Sequence, residues 1–278
     1  MSCCCCPGFL IAGAILLAII AKFYFGQKRG NEKPKLKKED YKKDIVYLFQ
    51  FKRMGDLPNV SPFCMKVELF LRAHKIQYEV IDDNFQRGEK GLLPFIELNG
   101  EHIADSEFII EHLSKHFNIK DNSPKEVAGA SRALSRMFDE EIFKIQLKFK
   151  IKEYEFVKLL LSSIVPGILI PLVVPVIQLV FGRKLGGYGT FSEAELKQLY
   201  RRNLQAATDV LGDKKFLGGN EPNLGDCSVF GQLASLYYLS CPNDLKCIID
   251  EFPSLKKLMN TIIREYFADF DVSNHLKN

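Results

Sequence analysis

Tryptophan is absent from this 278-residue chain, and histidine and methionine occur only five times each. The scarcity of histidine leaves little from which to build an imidazole metal centre. His112 and His116 share an i, i+4 helical spacing, but no glutamate follows His112 and no third ligand stands nearby, so the pair reads as surface polarity. Cysteine supplies no disulfide framework: Cys64, Cys227, Cys241 and Cys247 are scattered, and the other four of the eight form the run Cys3-Cys4-Cys5-Cys6. Four successive side chains converge poorly on one tetrahedral ion, so that run reads as a juxtamembrane acylation signal before it reads as a metal site. No metal is therefore required by the sequence. Internal repeats are missing, and the basic excess is not interleaved with aromatics, which argues against nucleic acid as a partner.

Long hydrophobic runs are also few. Gly8 to Ala21 has no charge, and with Lys22 snorkelling the apolar stretch reaches Phe25. That is about 18 residues, or roughly 27 Å as a helix, against a hydrocarbon core of ~30 Å. Residues 1–25 are therefore expected to form a membrane anchor, and residues 26–43 a basic linker. Between Gln27 and Lys43, eight basic side chains stand against three acidic ones, a net +5 in a chain whose total is +4, so the remainder is nearly neutral. The positive-inside rule places that flank and everything after it in the cytosol, and Cys3 to Cys6 in the lumen. Acylation of the cysteines asks for the opposite side; the charge rule, resting on eight side chains, carries more weight. A second uncharged run, Leu159 to Phe181, is interrupted by Pro166, Pro171 and Pro175, and is expected to be a kinked, buried or membrane-apposed insertion rather than a spanning helix.

The remaining chain is long enough for two cores, and its periodicity changes partway. Ile45 to Phe51 reads as a strand, Pro62 to His74 as a helix with Phe63, Val67, Phe70 and Leu71 at helical spacing, and Tyr78 to Ile81 as a strand. Pro94 to Leu98, an Asn99-Gly100 turn and Ile103 make a hairpin, followed by a helix from Asp105 to Phe117. Strand, helix, strand, hairpin, helix is the thioredoxin-like order, here over residues 44–118. From Ser123 onward only helical patterns remain, at Ala128 to Ile151, Ser192 to Leu211, Asn223 to Leu239 and Ser254 to Phe267, so residues 124–270 are expected to be all-α.

Three pieces of the first domain carry chemistry. Ser61-Pro62-Phe63-Cys64 opens a helix, with Ser61 as N-cap and Pro62 in the first helical position; a hydroxyl or thiol there sits where the macrodipole favours a thiolate. Leu93-Pro94 opens a strand, where a cis bond turns backbone groups towards another peptide. Asp105-Ser106 starts the next helix and offers a hydroxyl and amides to a carboxylate. In this order and spacing they suit a γ-glutamyl tripeptide thiol, glutathione: Ser61 or Cys64 at the thiol, Leu93 and Pro94 along the cysteinyl part, Asp105 and Ser106 at the γ-glutamyl end.

With these residues the chain resembles the glutathione S-transferase superfamily over roughly Asp44 to Phe270. The run from Phe216 to Asp226 looks like the family's N-capping-box helix entry, with Asn223 as cap and Asp226 at the third helical position, both structural. Val60-Ser61-Pro62-Phe63-Cys64-Met65-Lys66-Val67-Glu68, Leu92-Leu93-Pro94-Phe95-Ile96 and Asp226-Cys227-Ser228-Val229-Phe230-Gly231 are similar to the branch of failed-axon-connections and metaxin-like proteins. The hydrophobic N-terminus narrows the resemblance to its cadmium-responsive members. What the resemblance implies is an endomembrane, lysosomal protein responding to cadmium, with glutathione as ligand or substrate and a homo- or heterodimer as its assembly. Two departures bear on catalysis. Lys52 to Asn59 is a longer connection than usual and would overhang the pocket, and Ser61 replaces the first cysteine of a Cys-x-x-Cys pair, which excludes dithiol exchange. An anchored transferase, a metaxin-like scaffold and a direct metal sequestrant remain open, in that order.

Overall fold

The computed structural model describes residues 34–53, 57–121, 123–162, 165–184 and 186–270. The expected membrane segment Gly8 to Phe25 and the cysteine run lie outside them. Four strands, β1 (Val46–Gln50), β2 (Tyr78–Asp82), β3 (Phe95–Leu98) and β4 (Glu101–Ala104), form one sheet in the order β2-β1-β3-β4. β1 and β2 are parallel, and the β1–β3 and β3–β4 pairs antiparallel, which is the βαβ-plus-hairpin arrangement. The hairpin turns at Asn99 (φ 50°) and Gly100 (φ 83°), the two positive angles that an Asn-Gly pair tolerates best.

Helix α1 (Pro62–Ala73) joins β1 to β2, and α2 (Ser106–His116) follows β4. The expected linker does more than connect. From Pro34 onward it docks on the sheet, where the buried Glu97 carboxylate accepts from the backbone N–H of Lys37 and of Lys38, both at 2.8 Å.

The second domain is helical. α3 (Lys125–Met137), a π-helical turn (Phe138–Ile142) and α4 (Phe143–Lys152) run on as one rod where the sequence suggests a single helix. α5 (Tyr154–Leu161) and α6 (Ile170–Lys184) form the insertion, then come α7 (Glu193–Leu211), α8 (Leu224–Tyr237), α9 (Leu245–Asp250) and α10 (Pro253–Tyr266). α9 escapes sequence reading because six residues are too few to show a period. Pro171 lies in the first turn of α6, where a missing N–H costs little, and Pro175 alone sits in its interior. Among the described residues no helix is long and apolar enough to cross a membrane.

The two domains meet across α1 and α8. α1 reads as amphipathic, yet Pro62 and every residue from Cys64 to Leu71 are buried, because the sheet covers one side and α8 the other. Gly231 makes this crossing close: a Cβ there would stand 2.4 Å from the Pro62 carbonyl oxygen. α8 itself begins in a capping box, with Asn223 Oδ1 accepting from Gly225 N and Asp226 N and the Asp226 carboxylate accepting from Asn223 N at 3.0 Å. Asp226 also takes the N–H of Leu217 at 2.8 Å and of Gly218 at 3.1 Å, which ties the preceding loop to the helix. Burial outweighs these bonds and pushes its carboxyl up to about 6.

Candidate functional site

The C-terminal edge of β1, the N-terminus of α1, the start of β3 and the end of β4 converge on one small apolar cluster made of Tyr47, Phe49, Cys64, Leu93, Phe95 and Ala104. Phe49 and Phe95 stack at 4.3 Å between ring centroids. Around this cluster stand the three pieces singled out in the sequence, because Cys64 belongs to the α1 entry, Leu93 to the proline turn, and Ala104 immediately precedes Asp105. The Leu93-Pro94 bond is cis. The connection from β2 to β3 contains no helix among its described residues, and Gly88 lets it lie against the strands: a Cβ at Gly88 would meet Phe95 Cβ at 3.0 Å and Ala104 Cβ at 3.1 Å.

Ser61 caps α1 with its backbone extended (φ −86°, ψ 121°), and its Oγ accepts from Cys64 N at 3.5 Å. Its own N–H donates to the Asn59 side-chain oxygen at 3.0 Å, while Asn59 Nδ2 donates to the Phe51 carbonyl at 2.7 Å, so one buried amide fixes the turn that presents the hydroxyl. The described ends of the 52–59 connection are pinned inward, and residues 54–56, on which the expected overhang turns, lie outside the described residues. Leu57 and Asn59 are buried, and Arg53 donates to Pro58 O at 2.7 Å and to Glu68 at 2.8 Å while lying over the Phe270 ring.

Cys64 is fully buried, and desolvation pushes its thiol up to about 12 despite hydrogen bonds with Ser61 and the Phe51 backbone. A thiol so placed stays protonated at neutral pH, which corrects the expectation that it supplies a thiolate. The half-buried Ser61 keeps an O–H to donate, since the bond from Cys64 N uses only a lone pair.

At α2, Asp105 occupies the N-cap with φ 84°, a left-handed angle that costs a non-glycine residue about 1–3 kcal/mol, and its carboxylate accepts from Glu107 N at 3.0 Å. Ser106 follows, 7% exposed. The next residue, Glu107, belongs to a group that sequence reading missed. Lys66, buried on α1, donates to Glu107 at 3.0 Å, to Asp139 at 2.6 Å and to Ser135 Oγ at 3.4 Å, and Arg132 pairs with Glu107 from α3. Asp139 sits in the π-helical turn, and burial raises its carboxyl above the ordinary range even beside Lys66. A lysine inside an otherwise apolar helical face was the one available hint. Among the described residues no group of three or more potential ligands could hold a metal ion.

Residues 62–156 match the model of the glutathione S-transferase N-terminal domain, and residues 200–262 that of the glutathione S-transferase C-terminal domain. The chain is 34% identical over 221 residues to Failed axon connections of Drosophila melanogaster, covering 73% of this chain and 53% of that protein, so it spans about half the length of that relative. It is 26% identical over 204 residues to isoprene-epoxide–glutathione S-transferase of a Rhodococcus strain, covering 68% of this chain and 85% of the enzyme. The crystal structure of a glutathione S-transferase of Ceriporiopsis subvermispora in complex with glutathione superposes with a TM-score of 0.56 at 16% identity, over 79% of this chain and 97% of that one, a likeness of fold. The thioredoxin-like domain, the helical domain entered through a capping box and the two family matches together establish that this chain belongs to the glutathione S-transferase superfamily.

Proposed function

We propose that this protein binds glutathione at the junction of the α1 N-terminus, the cis-Pro94 turn and the α2 N-terminus, and holds its sulfur as a thiolate. The observation that carries the reading is the convergence of those three backbone features on the Phe49–Phe95 cluster. Ser61 donates its hydroxyl proton to the sulfur, in the positive end of the α1 dipole. The backbone beside Pro94 pairs with the cysteinyl peptide. Ser106 donates to the γ-glutamyl carboxylate, and Asp105 accepts from the neighbouring ammonium group. Cys64 packs beneath the sulfur rather than replacing Ser61.

The supporting residues are those a transferase-type thiol site uses, so the enzymatic reading is conjugation or reduction through bound glutathione. A silent scaffold is the second reading; the burial of Cys64 favours it, because that thiol, beside the site, is chemically quiet. We extend the proposal to the cell on the sequence alone: residues 8–25 anchor the chain to an endomembrane, lysosomal by resemblance, the folded domains face the cytosol, and the response to cadmium runs through glutathione, whose thiol is a soft-metal ligand.

Calorimetric titration of the detergent-solubilised full chain with glutathione tests the site. Ser106→Ala should weaken binding by about 1–3 kcal/mol, the value of a hydrogen bond to a charged group with its partner left in place. Ser61→Ala should leave affinity for S-methylglutathione unchanged while lowering that for glutathione. No detectable heat with the wild type at millimolar glutathione sinks the assignment and leaves the scaffold.

A further inference from the structure

Beyond α10 the chain turns back onto the first domain. Phe267 is fully buried and stacks on Phe230 of α8 at 5.4 Å between ring centroids, and Phe270 N donates to the Phe267 carbonyl at 2.9 Å. The turn sets a carboxylate and an aromatic ring against two arginines of the thioredoxin-like domain. Arg72, in the last turn of α1, holds Asp269 with both ends of its fork, Nη1 to Oδ1 at 2.6 Å and Nη2 to Oδ2 at 2.9 Å, and Nη1 also donates to the Tyr266 carbonyl at 2.8 Å. Arg53 lies over the Phe270 ring, 4.7 Å from its centroid. Both arginines meet again on one fully buried carboxylate in α1. Glu68 accepts from Arg53 Nη2 at 2.8 Å, from Arg72 Nη2 at 3.0 Å and Nε at 3.2 Å, and from the Tyr78 hydroxyl at 3.0 Å. Two guanidinium groups thus stand against two carboxylates, and the cluster is balanced in charge.

The remaining nitrogen of Arg53 carries the consequence. Nη1 donates to the buried Pro58 carbonyl at 2.7 Å, three residues before Ser61. The Asn59 side chain, bonded to Phe51 O and Ser61 N, closes that turn on itself, whereas Arg53 ties it to Glu68 of α1 and, through Phe270, to the second domain. Direction matters at Ser61, because a hydrogen bond prefers angles above about 150° and weakens steeply below ~120°. We propose that Arg53 and Phe270 are positioning residues for the thiol end of the glutathione site: Phe270 holds the Arg53 guanidinium, and Arg53 holds the Pro58–Ser61 turn so that the Ser61 hydroxyl faces the ligand's sulfur. The inference rests on the glutathione reading above and adds to it a control that reaches the sulfur from the second domain. The γ-glutamyl end, at Ser106, lies outside it. A hydroxyl donates strongly to a thiolate and weakly to a thiol, so loosening Ser61 lowers affinity for ionised glutathione and raises the pH at which the bound ligand loses its proton.

The test uses Arg53→Ala and Phe270→Leu in the full chain. Neither strands the buried Glu68 carboxylate, which keeps Arg72 and Tyr78 as partners, and leucine at 270 stays apolar while offering no ring face to Arg53. Arg53→Lys, which keeps the cation but cannot bridge Pro58 and Glu68, is read beside Arg53→Ala and guards against a fold that fails outright. Lys215→Ala, which removes an exposed ion pair to Glu265 of α10, is the control. The ultraviolet absorbance of the bound thiolate is followed against pH, with calorimetric affinities for glutathione and S-methylglutathione. Affinity for ionised glutathione should fall on the order of fivefold, part of the roughly tenfold or more that a charge-assisted hydrogen bond is worth. The midpoint of the bound thiol should then rise by about 0.7 on the pH scale, the logarithm of that factor. Affinity for S-methylglutathione and the midpoint of the control should stay as in the wild type, and Phe270→Leu should add nothing in a Ser61→Ala background. Folded variants with the wild-type midpoint overturn the proposal and leave the glutathione reading standing. Equal losses for both ligands do the same by making the cluster structural only, as does a further rise on top of Ser61→Ala. A wild-type chain that binds no glutathione, or binds it without lowering its thiol midpoint, removes the reading and the proposal together.

Discussion

Gly231→Ala separates two effects of opposite sign on the same helix. An alanine in a helix interior is favoured over glycine by up to about 1 kcal/mol, so propensity alone makes the variant more stable. The structure says otherwise. The new Cβ would lie 2.4 Å from the Pro62 carbonyl oxygen, where contacts under 3.0 Å are essentially never seen, and 3.2 Å from Lys66 N. Relief needs a separation of at least 0.6 Å, the difference between 3.0 and 2.4 Å, between two backbones rather than between flexible side chains. Overpacking of this kind costs about 1–3 kcal/mol. Because two backbones must part, the cost falls in the upper part of that range, about 2–3 kcal/mol; with up to about 1 kcal/mol of propensity gain subtracted, a net loss of about 1–2 kcal/mol is expected, or roughly 2–8 °C in Tm. Gly129, exposed on α3 with nothing within 4 Å of its built Cβ, is the control: Gly129→Ala should raise Tm. Because the displaced atoms form the first turn of α1, glutathione affinity should fall along with stability in the 231 variant and stay constant in the 129 variant. Differential scanning calorimetry of both decides it. A Tm for Gly231→Ala equal to or above the wild type would refute the claim that the α1–α8 crossing is limited by that backbone contact.

Two further outcomes rest on buried charges. Lys66→Met should cost about 3–5 kcal/mol in urea unfolding, because it strands the buried Asp139 carboxylate, and adding Asp139→Leu should recover part of the loss; simple additivity within about 0.5 kcal/mol would mean that the pair is not coupled. Lys150, buried with Ser235 Oγ at 3.2 Å as its hydrogen-bond partner among the described residues, has its ammonium pushed down from 10.5 to about 7 by desolvation first, then by Lys246. The unfolded chain therefore holds this proton through a range in which the folded chain has released it, so stability should rise between pH 7 and 10.5, with the penalty complete below pH 7. Lys150→Met should flatten that rise and stabilise the protein near neutral pH by on the order of 4 kcal/mol, read from urea midpoints across the pH series; parallel slopes for the two proteins would contradict it.

The features legible in the sequence are those written in short stretches of chain. Asn99-Gly100 fixes its hairpin turn through the two positive φ angles it tolerates, and the switch from period two to period 3.6 after Ser123 marks the second domain because no later segment alternates. Features that depend on distant residues were not legible. The burial of α1 on nearly all sides is set by Gly231, more than 160 positions away, and the Lys66–Asp139 pair joins residues 73 apart in sequence. Cys64 illustrates the difference. Its position at a helix entry suggests an activated thiol, since the dipole argument sees only the helix. The apolar cluster of Phe49, Leu93, Phe95 and Ala104 that encloses it decides the matter, because desolvation of a thiolate exceeds what one helix terminus returns.

The same enclosure explains why a serine at the α1 entry suits a bound thiol better than a second cysteine would. A protein thiol at Ser61 would stand one turn from Cys64 and make a dithiol, whose chemistry is exchange with disulfides. A hydroxyl cannot be oxidised in that way and has a proton to give, so in the glutathione site proposed above the reactive sulfur, among the described residues, is the ligand's own. Its environment is then fixed from both domains. Asn59 holds the Ser61 turn within the first domain, while α8 holds the following helix from the second, and Glu107, next in sequence to Ser106, is tied by Lys66 to α1 and by Arg132 to α3. A ligand seated against Ser61 and Ser106 therefore touches two helix entries that the helical domain already clamps, which keeps both donors in place before the ligand arrives.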